Sequence, residues 1–191
     1  LIAFPDYWQG EASIKKIKFT VITDDTTAAV SYRANEVDFV STSASQYMDI
    51  SQNPDQYNFT AIATKHTALI YFNTEHAPFD NKLVRKALQH AVDRDVLIAV
   101  AFEGYAEPAY LQGNETCFGV DYDYCVMYDY DPEKAKELLA EAGYPDGLYL
   151  GTMVTSPGSY MAKCAVAFQA MLQDIGCSCD IVQLENTTLT A

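Results

Sequence analysis

Val84, Ala87, Leu88 and Ala91 fall at i, i+3, i+4 and i+7, a single apolar stripe that predicts a helix with one buried face. Asp80 stands ahead of it as a capping residue. Asp93 opens a second helix, whose inward positions are Val96, Leu97, Val100 and Ala101 and which Gly104 ends. Asp131-Pro132 starts a third, with an acid at the cap and proline in the first turn. Its stripe is Ala135, Leu138, Leu139 and Ala142, and Gly143 stops it. A fourth runs over Tyr160–Ile175, with Ala165, Phe168, Leu172 and Ile175 inward and Gly176 after its end.

Alternation predicts the strands. Ile17, Phe19 and Val21 alternate within Ile14–Ile22, and Val37–Val40, Tyr57–Ala63, Leu148–Val154 and Cys177–Leu184 are shorter candidates. Thr67–Asn73 is apolar with little alternation, the pattern of a strand covered on both faces. Asp24-Asp25 caps a helix through Ala34 that turns Ala28, Ala29 and Tyr32 inward, and Asn35 suits the left-handed position after it. A further helix is expected at Ala44–Ile50. Strands alternating with helices predict α/β layers on a mostly parallel or mixed sheet. A composition shift near Ala61–Thr67 divides the pattern in two. Between them the helices leave Tyr105–Tyr130, an aromatic and acidic excursion without a period.

The chain carries 26 acids and 12 bases, a net charge of −14. That argues against nucleic acid, which needs a concentrated basic face, and no Lys/Arg cluster is visible. No apolar run reaches the roughly 18 residues of a membrane span, and Leu1–Gly10 has no leader character, so a secretion signal is expected outside this sequence. Five cysteines leave at least one without an intrachain partner. Cys117 and Cys125 flank a loop and are candidates for a local disulfide in an oxidising exterior. Cys177 and Cys179 share one face of a strand, where core packing is a better account than metal binding.

Four segments then line up in order. Pro5-Asp-Tyr-Trp-Gln-Gly10 resembles NPxYWxG, with Phe4 in place of the usual Asn. Arg33-Ala-Asn-Glu-Val-Asp38 resembles (A/S)GE(I/V)D, with Asn35 where Gly is usual. Ile70 through Arg94 resembles (Y/F)NxxxxPFxxxxVRxAxxxAxDR, and Tyr130 through Gly147 resembles YDPxKAxxLLxEAG(Y/F). Together they resemble the family 5 extracellular solute-binding proteins, the oligopeptide, dipeptide and nickel receptors of ABC importers. The resemblance implies a periplasmic-binding-protein-like α/β fold of type II, with mixed sheets and flanking helices, present as part of a two-lobed protein. On it, residues 1–63 are the end of the first lobe and residues 64–191 the first half of the second.

The function it implies is capture of a solute, oligopeptide first, outside the membrane for delivery to ABC permease subunits, by lobe closure and without catalysis or cofactor. It implies an extracytoplasmic monomer, periplasmic or lipid-anchored. A nickel, haem or sugar receptor and a non-transport acidic interaction module are the alternatives. Ligands of open α/β sheets lie at the carboxyl ends of strands. Ser41, Thr42 and Ser43, after Val37–Val40, are therefore candidate ligand-binding residues, with plain helix capping as the alternative. On the crossover strand the candidates are Thr64, Tyr71 and Asn73, where Asn73 equally suits fixing the following turn.

Other chemistry finds little support. Counted from Asp121, a calcium loop would need Gly and Glu where Val126 and Pro132 stand. His66, His76 and His90 have no zinc spacing. No hydrolase, metalloprotease or nucleotide-binding motif occurs, so no catalytic residue is assigned.

Overall fold

The computed structural model describes residues 1–41, 44–60, 62, 64, 66–113, 117–185 and 188. They divide into two compact units, Leu1–Thr60 and Ala61–Ala191.

In the first unit, α1 (Asp25–Arg33) is capped by Asp24, whose carboxylate accepts from Thr27 N. That hydrogen bond, together with one from the Thr27 hydroxyl, lowers the Asp24 pKa. The helix ends at Asn35, which takes the left-handed φ of 57° expected of it. α2 (Ala44–Ser51) packs against α1. Ala28, Ala29 and Ile50 are buried, the Tyr32 and Tyr57 rings meet at 5.6 Å, and Arg33 pairs with Asp49.

The second unit holds the main core. Its elements are α3 (Lys82–His90), α4 (Arg94–Phe102), α5 (Pro132–Glu141), β1 (Tyr149–Thr155), α6 (Tyr160–Asp174) and β2 (Ser178–Gln183). β1 and β2 are parallel and joined through α6, a βαβ unit. α3 packs on α5 and α4 on α6. The stripe Val84, Ala87, Leu88 and Ala91 is fully buried, as its spacing predicts, against Leu138, Leu139, Phe168 and Leu172. Alanines at two of the four stripe positions let α3 and α5 approach closely. Cys177 and Cys179 lie in the same core, and burial raises both thiol pKa values. The β1–β2 register slips by one residue between Tyr149 and Thr152, where Gly151 sits at φ 87°.

Several expected elements differ. The cap of α3 is Asn81, whose side chain accepts from Leu83 N, not Asp80. Val96 and Val100 are surface residues, because α4 turns only its Leu97–Ala101 edge toward the core. Ile14–Ile22, Val37–Val40 and Thr67–Asn73 form no ladder among the described residues, and neither does the described part of Tyr57–Ala63. Near the amino end there is one antiparallel bridge, Ile2 to Lys16. Phe19, Val21 and Phe39 are at least 75% exposed. A strand exists only when a neighbour takes up its N–H and C=O groups; Ile14–Ile22 has one only over Lys15–Ile17, against Leu1–Ala3, and Val37–Val40 and Thr67–Asn73 have none among the described residues. Thr67–Asn73, expected to be covered on both faces, leaves Tyr71 79% exposed.

Candidate functional site

The segment ahead of α3 is built around Phe72. Its ring stacks on Phe79 at 4.9 Å and packs against the core. Tyr71 and Asn73, on either side of it, are exposed. In extended chain, successive side chains point to opposite faces, so anchoring Phe72 displays its two neighbours. The Asn73 Oδ1 accepts from Glu75 N at 3.1 Å, which fixes the exit turn. Thr64 is exposed, and its hydroxyl accepts from His66 N at 3.4 Å. Ser41 is exposed, whereas Thr42 and Ser43 lie outside the described residues. Tyr71 and Asn73 thus share one segment, and Ser41 belongs to the other unit.

The arginines of the signature hold the surrounding loops. Arg85 donates through Nη1 to the carbonyls of Phe79, at 2.5 Å, and Asp80, at 3.0 Å. It thereby closes the turn that precedes its own helix. Arg94 does the same for the long excursion. Its Nε donates to Ala109 O at 3.0 Å and its Nη1 to Tyr128 O at 3.1 Å, and its guanidinium lies 4.3 Å from the Tyr110 ring centre. Burial lowers the Arg94 pKa, against opposing pulls from Tyr110 and Asp129, and the guanidinium stays charged. Next to it, His90 Nδ1 meets Asp129 O at 2.9 Å, and Asp131 N donates to His90 O at 2.8 Å. The sequence marks Arg94 only as a motif letter. Apart from Gln89 Oε1, which accepts from its Nη2 at 3.3 Å, its partners are loop carbonyls, which no side-chain pattern announces.

Arg94→Ala is expected to loosen residues 105–130 without unfolding the helices. Two charge-assisted bonds at about 1.5 kcal/mol or more each predict at least tenfold faster cleavage there in limited proteolysis. An unchanged cleavage rate would show that the excursion is held by other contacts.

Cys117 and Cys125 are half-buried thiols in this structure. The Cys125 Sγ donates to Asp121 O at 3.2 Å, just after the single turn Tyr122–Tyr124. Asp121 itself accepts from Asp123 N at 3.0 Å. Among the described residues no three His, Cys, Asp or Glu side chains gather in a metal-binding group. No helix among them is long and apolar enough to cross a membrane.

Two concave surfaces lie in the second unit. An apolar groove of about 390 Å³ runs between α4 and α6, with Val96, Val100, Tyr130 and Val166 in its walls. A smaller one, of about 260 Å³, lies between Phe72, α3 and Tyr128.

Comparison with known proteins places these features in a class. Over 98% of its length the chain superimposes on the ABC transporter-associated periplasmic binding protein DppA of Helicobacter pylori, solved in complex with the peptide STSA, with a TM-score of 0.75 and 30% identity. That coverage is 36% of the DppA chain. The fold is therefore that of the type II periplasmic binding proteins of the dipeptide and oligopeptide cluster. The chain belongs to the bacterial extracellular solute-binding proteins, family 5, matching the family's middle region over residues 1–191. It is 34% identical over 148 residues to heme-binding protein A of Haemophilus influenzae, covering 76% of this chain and 26% of that protein. It is 32% identical over 187 residues to the glutathione-binding protein GsiB of Pectobacterium atrosepticum, covering 95% of this chain and 35% of GsiB. The chain thus spans about a quarter to a third of the curated relatives it matches.

Proposed function

We propose that this chain is part of an extracytoplasmic receptor that captures a small solute, an oligopeptide or peptide-like molecule, and delivers it to an ABC permease. The observation that carries this reading is the crossover segment, where an anchored Phe72 presents Tyr71 and Asn73 to solvent in a family 5 chain. An exposed tyrosine offers flat apolar area and a hydroxyl, and Asn offers an amide, the groups that hold a peptide backbone. Relatives named for glutathione and solved with a peptide support peptidic ligands, and the relative named for heme supports the runner-up.

Residues before the crossover belong to one lobe and residues after it to the other, and Ser41, Thr42, Ser43 and Thr64 are the remaining ligand-binding candidates. Capture is closure of two lobes around the ligand, driven by tighter binding to the closed state. No bond is made or broken. The receptor works as a monomer in the periplasm or lipid-anchored on the outer face of the cell membrane, where oxidation would join Cys117 to Cys125 across their loop.

Calorimetric titration of the complete polypeptide with a mixed peptide pool, and separately with haem and nickel, tests this. Saturable heat with peptides is expected. Tyr71→Ala is expected to weaken it about tenfold, a typical loss for a contact tyrosine, and to leave stability unchanged. Heat with haem or nickel alone would overturn the substrate class, and an unaffected Tyr71→Ala affinity would remove Tyr71 from the site.

A further inference from the structure

Five cations of the described surface are paired with acids. Lys15 pairs with Glu11, Lys134 with Glu137, Lys136 with Glu133, Lys163 with Glu103 and Arg33 with Asp49. Lys82 and Lys86 stand together on one helix face with Arg85. Their side chains form no ion pair among the described residues, although the chain has 26 acids for 12 bases. They stand four residues apart on α3, where like charges repel one another and cost stability. Arg85 and Gln89 complete the same helix face, so this face concentrates positive charge that the sequence, lacking a basic run, does not advertise.

The face also forms the wall of a cavity. Lys82, Arg85, Lys86 and Gln89 border the open 260 Å³ groove, which Phe72 and Tyr128 also line. Both aromatic walls are held in place. Phe72 stacks on Phe79, while the Tyr128 ring lies edge-on to His90 at 5.3 Å and its carbonyl accepts from Arg94. Arg85 is fixed by the two carbonyl bonds from its Nη1, which leaves Nε and Nη2 without a protein partner among the described residues. A guanidinium held in this way loses little freedom on meeting an anion.

We propose that this groove binds a compact oxyanion, the carboxylate or phosphate of a small molecule, with Lys82, Lys86 and the unspent Arg85 N–H groups as donors. The site uses none of the side chains assigned above to solute capture, so the two readings stand or fall separately. The test is calorimetry of the 191-residue chain at fixed ionic strength with inorganic phosphate, with succinate and with chloride as control. Saturable binding of phosphate or succinate is expected, weakened at least tenfold in a Lys82→Ala/Lys86→Ala double variant and retained in the corresponding double Arg variant. Both variants should keep the parent's circular dichroism and unfold no earlier than the parent, since neither lysine is buried and the Ala variant relieves their repulsion. Binding of phosphate alone assigns a phosphoester ligand, and binding of succinate alone a carboxylate. No saturable heat from either anion, equal affinity in the Ala variant, or equal heat from chloride would overturn the proposal.

Discussion

Leu139→Ala is expected to lower the stability of the chain by about 2–5 kcal/mol, the range for emptying a large side chain from a closed core. Leu139 is 1% exposed and lies where α5 meets the α3 stripe, with Val84 and Leu88 in the same cluster. Alanine would remove most of its apolar volume while α3, pinned at one end by Asn81 and at the other by the Asp131–His90 backbone bond, has little freedom to collapse. Domains of this size are stable by only about 5–15 kcal/mol, so the shift should be unmistakable in guanidinium unfolding monitored by circular dichroism. Val166→Ala is the control. It removes an apolar side chain from α6 that is 58% exposed and should cost less than about 0.5 kcal/mol. Equal midpoint shifts for the two variants would mean that the core lies elsewhere.

This core could be seen in the sequence because helical spacing is a local property. Val84, Ala87, Leu88 and Ala91 declare one face without reference to any partner, and so do Ala165, Phe168, Leu172 and Ile175. Caps are equally local, which is why Asp24, Asp93 and Asp131 were legible. The error at Asp80 is a shift of one residue between two good capping types. Strands are different. Thr67–Asn73 has the composition of a buried strand, yet pairing depends on a neighbour that no local pattern supplies. The chain spans only a quarter to a third of its curated relatives.

The candidate site was legible to the same degree. Tyr71 and Asn73 stand out as polar handles in an apolar run, and the turn-fixing alternative for Asn73 has its bond in the structure. The anchoring by Phe72 was not visible, since it needs Phe79 folded back across a turn that Arg85 closes. The basic groove was missed for another reason. Lys82, Arg85 and Lys86 look dilute in a chain of net charge −14 until the excursion brings Tyr128 over them.

Gly147→Ala carries the other large expected effect, a loss of more than about 2 kcal/mol. Gly147 sits in the turn between α5 and β1 at φ 81°, where an L side chain alone costs roughly 1–2 kcal/mol. Space adds a second penalty. A Cβ there would lie 1.9 Å from the Gly176 carbonyl oxygen and 2.4 Å from its carbon, and both are backbone atoms that cannot rotate away. Gly176 is itself left-handed at φ 78° and ends α6, with Cys177 N bonded to Leu172 O at 2.8 Å. Two tight turns therefore touch backbone to backbone, just ahead of the point where Ser178 N donates to Leu148 O at 3.0 Å and the parallel ladder begins. Separating them should strip protection from the Ser178 amide in hydrogen exchange as well as lower the unfolding midpoint. Gly143→Ala supplies the comparison: its φ is 97°, but nothing lies within 4 Å of the added carbon, so only the conformational cost of about 1–2 kcal/mol remains. If the two variants lose the same stability, the Gly147–Gly176 contact is not what sets the start of the sheet.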